Sequence, residues 1–166
     1  YPLRLVVPGW YGMASVKWLS KITGLDHSFV GFFQTDRYIM ETEDGGMGPL
    51  RDMVVKSLIS SPRHGQIFEV RPLQVTGLAW SGAGAVTQVE VSDDFGESWR
   101  PAQLGGLNNQ YAWQQWALTW QPQSPGHHTL MARATDAAGR EQSQTPRYNI
   151  MRKNFSAIVG YDITIK

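Results

Sequence analysis

From residue 54 onward the chain repeats one pattern: short runs of alternating apolar and polar residues, set between turn residues at roughly 8–14-residue intervals. Alternation with a period of two sorts side chains onto the two faces of a strand. Several such strands bury their apolar faces by stacking as two antiparallel sheets. Candidate strands are 54–59, 66–70, 73–80, 85–92, 99–104, 113–120, 128–135 and 157–165. The clearest alternation puts Trp116, Leu118 and Trp120 on one face, with Leu130, Ala132 and Ala134 doing the same further on. Val89 and Val91 face inward while Gln88 and Glu90 face outward. No long stretch keeps a 3.6-residue period, so little helix is expected.

The first fifty residues read differently. Residues 3–7 form an apolar strand ended by Pro8-Gly9, followed by a Gly-rich turn and then Val16-Lys17-Trp18-Leu19. Arg4 and Lys17 bracket a loop whose backbone can approach a ligand closely. The pair reads two ways: two surface cations lying along apolar neighbours, or an anion clamp completed by backbone N–H groups between Gly12 and Ser15. Residues 32–41 are aromatic-rich and include Tyr38. The run Glu43-Asp44-Gly45-Gly46-Met47-Gly48-Pro49 reads as a loop and a domain boundary.

Composition removes several function classes. With 15 Lys+Arg against 14 Asp+Glu, the net charge is +1, which gives no electrostatic case for nucleic acid. No apolar run reaches the roughly 18 residues of a membrane span. There are no cysteines, hence no thiolate metal ligand, thiol nucleophile or disulfide within these residues. His27, His64, His127 and His128 lack metal-ligand spacing, so no protein metal ligand is expected. The seven Trp point to sandwich cores or interfaces.

Ser92-Asp93-Asp94-Phe95-Gly96-Glu97-Ser98-Trp99 matches the Asp-box pattern of sialidase propellers. A propeller needs several copies and this chain has one, so the motif is expected to be a hairpin staple. Asp94 would bond turn amides, Gly96 would take a positive φ, and Trp99 would pack beneath.

Together, VVPGWYGMASVKWL (6–19), the Phe33–Tyr38 element, Leu78-Ala79-Trp80-Ser81-Gly82, the Asp-box segment and Trp113-x-x-Trp116 resemble the C-terminal part of sulfite-oxidase-type molybdenum oxidoreductases, in the same order and over nearly the whole chain. The resemblance implies a mainly β fold. Residues 1–50 would be the C-terminal fragment of an α+β molybdopterin-binding domain, and 51–166 an immunoglobulin-like (E-set) antiparallel β-sandwich that makes a homodimer.

By resemblance, Arg4 and Lys17 contact the molybdenum–molybdopterin cofactor, including its phosphate, and Gly12 and Ser15 approach it through the loop backbone. Tyr38 takes the place of a tyrosine in the substrate pocket. A sandwich-domain arginine also reaches that pocket in sulfite oxidases. Strict counting puts Met151 at its position, and Arg152 fills the role with a one-residue shift. Ala14 stands where many members carry arginine. These departures leave open which small anionic substrate, sulfite or another oxyanion, is oxidised by oxygen-atom transfer.

The metal's cysteine would come from an upstream cofactor-domain segment or chain. A cytochrome is the candidate electron acceptor, and the compartment implied is periplasmic or secreted. The competing reading is a non-catalytic immunoglobulin-like interaction module.

Overall fold

The computed structural model describes residues 2–42, 44–106, 109–145 and 153–166. Eleven strands are present among them: β1 Ile39–Glu41, β2 Met47–Pro49, β3 Lys56–Ser61, β4 Ile67–Phe68, β5 Leu73–Trp80, β6 Val86–Ser92, β7 Arg100–Pro101, β8 Gln103–Gly105, β9 Gln114–Trp120, β10 Gly126–Asp136 and β11 Tyr161–Ile165. Helical structure among the described residues is confined to a single 3-10 turn, Gly12–Ala14, and a π-type turn, Phe33–Arg37.

Two sheets form the sandwich. One runs β4-β11-β10-β6-β7 and the other β3-β5-β9-β8; every pairing is antiparallel except β11 with β4. Their inner faces supply one core. Val75, Trp116 and Trp120 come from one sheet, and Val89, Val91, Leu130, Ala132 and Ile163 from the other. The expected alternation is therefore realised, with Trp120 fully buried and its indole N–H donating to Asp93 at 2.6 Å.

The expected strand 99–104 is two strands. Arg100–Pro101 closes the edge of one sheet and Gln103–Gly105 the edge of the other, with the crossing at Ala102. Proline cannot donate to a ladder and so is tolerated at an edge.

The Asp-box turn is a staple. Ser98 N donates to the Asp94 carboxylate at 2.9 Å, the Ser98 hydroxyl donates to its other oxygen, and Gly96 has φ 89°. Bonds from Ser98 and Ser92 hold the Asp94 carboxyl well below the usual range.

At the other end of the sandwich, Ser81 Oγ donates to Asp136 at 2.7 Å and Arg140 Nε donates to the same oxygen at 3.0 Å. The amides of Ala138 and Arg140 bond its partner oxygen. Burial pushes the Asp136 carboxyl up, but these bonds outweigh it and the net shift is downward. A lowered folded-state pKa gives stability that is full above the unfolded value near 3.8 and is lost as pH falls through the folded value. Asp136→Ala removes the acceptor of the buried Ser81 hydroxyl and of the Arg140 guanidinium and is expected to cost about 1–3 kcal/mol at neutral pH. Urea unfolding of both proteins checks this, and the difference should shrink as the pH is lowered below that window.

Two expectations near the N-terminus are corrected. Residues 3–7 do not form a strand. Leu5 N bonds Val16 O and Leu19 N bonds Leu3 O, both at 2.9 Å, but Val7 N goes to the Ser15 hydroxyl, which ends the ladder at one bridge between Arg4 and Lys17. The stretch read as a loop is partly a hairpin, in which Met47–Pro49 pairs with Ile39–Glu41 around Gly45 at φ 79°.

Candidate functional site

The ladder that stops early is what builds the site. Residues opposite each other on an antiparallel pair project their side chains to the same face, with Cβ atoms about 4.5–5.5 Å apart. The Arg4–Lys17 bridge therefore sets two cations side by side. Like charges in that relation are mutually destabilising. Among the described residues neither cation is in a salt bridge with a carboxylate. Arg4 Nε donates to Ser15 O at 3.1 Å, which fixes the guanidinium against the loop and leaves its terminal nitrogens for another acceptor.

The loop between them folds tightly. Ala14 N bonds Tyr11 O and Ser15 N bonds Gly12 O, so Gly12–Ala14 closes one 3-10 turn. Trp18, directly after Lys17, takes φ 58°. That left-handed conformation is costly for a bulky side chain, and it turns the chain so that Leu19 meets Leu3.

A cavity of about 520 Å³ opens here, lined by Arg4, Gly12, Ser15, Lys17 and Tyr38 together with Met13, Val16, Phe33, Gln34, Pro49 and Leu50. All five sequence-derived positions that fall within the described residues thus share one cavity. Arg152 and Met151 lie outside the described residues. Tyr38 is delivered by the π-type turn: its amide bonds Phe33 O at 2.8 Å and its carbonyl accepts from Leu50 N at 2.6 Å. Its ring lies 6.0 Å from that of Phe33, and Lys153 Nζ sits 4.1 Å from the Tyr38 centroid. No group of His, Cys, Asp and Glu suited to a metal occurs among the described residues.

The sandwich braces this pocket through two contacts that sequence reasoning missed. Gly9 O accepts from Met53 N at 2.8 Å, and Met53 O from Gly82 N at 2.7 Å, so the VVPG and AWSG motifs meet across one backbone segment. The Tyr11 hydroxyl donates to Asn154 and accepts from Val54 N at 3.3 Å. Burial raises its pKa despite the Val54 bond, which keeps it a donor. The repeated glycine of the two motifs was the available signal for the first contact; the second left none. Val6, Val16, Trp18, Ile22, Phe29 and Val30 are exposed apolar side chains.

Residues 48–159 match the family model described as the Mo-co oxidoreductase dimerisation domain, and residues 1–33 match the oxidoreductase molybdopterin binding domain. The chain is 34% identical over 131 residues to mitochondrial sulfite oxidase of Homo sapiens, covering 71% of this chain and 24% of that protein. It is 31% identical over 165 residues to sulfite oxidase of Gallus gallus, covering 90% and 36% respectively. Among solved structures, the sulfane dehydrogenase SoxCD from Paracoccus pantotrophus superposes with a TM-score of 0.82 at 31% identity, covering 98% of this chain and 43% of that one. The chain thus spans roughly a quarter to a third of the length of these sulfite oxidases.

Proposed function

The chain belongs to the Mo-co oxidoreductase dimerisation domain family, and from that premise we propose that it is the C-terminal portion of a sulfite-oxidase-type enzyme that oxidises a small anion. One observation carries the reading: two cations paired on a single bridge share a cavity with a tyrosine. Residues 1–50 would form one wall of the molybdopterin pocket, and 51–166 an immunoglobulin-like domain joining two copies. The matches to the binding and dimerisation family models support that division.

The residues fit the cofactor's chemistry. A phosphate beside Arg4 and Lys17 relieves their repulsion and receives charge-assisted hydrogen bonds, which are stronger than neutral ones. Gly12 presents no side chain, and nothing lies within 4 Å of where its Cβ would be, so the loop backbone there is approachable. Ser15 shapes the loop through its bond to Val7. When bound, the molybdenum–molybdopterin group would supply two-electron oxidation by oxygen-atom transfer. Tyr38 donates a hydrogen bond to the substrate oxyanion, and the cations raise the local concentration of anions. Arg152 is proposed as a further cation at the same pocket.

The exposed apolar side chains around Val6, Trp18 and Val30 support an upstream segment that covers them, since water penalises such surface. That segment would bring the cysteine for the metal. A cytochrome acceptor and a periplasmic or secreted location complete the proposal.

The complete protein is expected to purify with molybdenum and to oxidise sulfite or a related oxyanion. A complete protein devoid of molybdenum after expression in a molybdopterin-making host would sink the reading. Tyr38→Phe removes one hydrogen bond to a charged group and is expected to lower kcat/KM about 10- to 100-fold with molybdenum content unchanged.

A further inference from the structure

The last described segment before β11 reaches back across the chain to the pocket. Lys153 Nζ lies 4.1 Å from the Tyr38 ring centroid and donates to the Arg37 carbonyl, 116 residues away in sequence. The next residue, Asn154, takes φ 59°, sends Nδ2 to Met40 Sδ at 2.8 Å, and accepts from the Tyr11 hydroxyl. These four contacts fall on residues 37, 38 and 40 and on Tyr11 at the start of the glycine loop, so they join the two segments that supply most of the cavity lining. Asn is among the few residues other than glycine that adopt a left-handed φ readily, which suits it to the bend that lets consecutive side chains grip opposite elements.

We propose that Lys153 is the positioning residue for Tyr38. Its ammonium holds the ring face through cation–π attraction and ties down the carbonyl just before it. The phenol is thereby held in one orientation, with a further positive charge against its ring. The effect is to favour anions at the phenol. The proposal rests on the reading of Tyr38 as the substrate donor, and the experiment separates the two.

The complete protein is prepared as wild type, Lys153→Met, Lys153→Arg and Tyr38→Phe, with tyrosine rings labelled with carbon-13. Inorganic sulfate serves as the anion probe. The Tyr38 ring resonance, assigned by its loss in Tyr38→Phe, is expected to shift in Lys153→Met and to return towards its original position in Lys153→Arg. Sulfate affinity is expected to fall about fivefold in Lys153→Met and to recover at least partly in Lys153→Arg. An unmoved Tyr38 resonance in Lys153→Met overturns the proposal. So does a shifted resonance that Lys153→Arg fails to restore, since a positively charged side chain is what the argument requires. If Tyr38→Phe leaves sulfate affinity unchanged while Lys153→Met still moves the resonance, the substrate-donor reading of Tyr38 fails and the positioning role stands.

Discussion

Replacing both Arg4 and Lys17 by alanine is expected to strip the complete protein of its cofactor while leaving the fold of these residues intact. The two effects separate because the cations contribute little to folding. They stand directly opposite each other on one bridge, where like charges repel, and both are exposed. Their removal should leave the melting temperature unchanged or raise it slightly. Toward a phosphate the sign reverses. Each charge-assisted hydrogen bond is worth about 1.5–3 kcal/mol, or roughly 10- to 100-fold in affinity per residue. The double variant should therefore lose at least about 100-fold and emerge without pterin or molybdenum. Arg4→Lys should fall between, because Nε bonds Ser15 O and a lysine cannot keep that contact while offering a second donor pair. Pterin content by fluorescence and molybdenum by elemental analysis, beside a thermal melt, check both halves. Full cofactor content in the folded double variant would remove the basis for the proposed pocket.

The sandwich was legible because its signal is repeated and local. Leu73–Trp80 and Gln114–Trp120 alternate cleanly, and burying one face of each leaves little freedom in register. The hairpin Ile39–Glu41/Met47–Pro49 was not legible. Strands of three residues carry no readable period, and the Asp44-Gly45-Gly46 run between them has the composition of a linker. The strand expected at 3–7 failed for a different reason: strand propensity says nothing about partners, and the Ser15 hydroxyl takes the amide that a ladder would need. At the site, the bracketing of the loop by Arg4 and Lys17 was visible as spacing, but their pairing on one bridge was not. Tyr38 came from family resemblance rather than from any pattern around it. Lys153 shows why part of a site stays hidden. A contact between residues more than a hundred positions apart leaves no mark on either local segment.

The largest expected loss of stability comes from one methyl group, Gly82→Ala. A Cβ at Gly82 would stand 2.2 Å from Gly9 O, 2.5 Å from Met53 N and 2.9 Å from Met53 O. All three are backbone atoms already committed to hydrogen bonds: Met53 N to Gly9 O, and Gly82 N to Met53 O. No flexible side chain can yield, so the opening loop must move off the sandwich. Overpacking of this kind typically costs about 1–3 kcal/mol, and losing the two hydrogen bonds adds about 1 kcal/mol each. The expected total of about 3–5 kcal/mol corresponds to a fall in melting temperature of roughly 6–20 °C. Gly84→Ala is the matched control in the same turn, because its Cβ would meet nothing nearer than Ala137 at 3.4 Å, an ordinary contact. Hydrogen exchange at Met53 and Gly82 locates the damage. If the loop lifts while the sheets hold, these amides lose protection while Val89 and Val91 in the core keep theirs, and cofactor binding weakens along with them. Equal melting temperatures for the two alanine variants would mean that the glycines of VVPG and AWSG do not join the pocket to the sandwich.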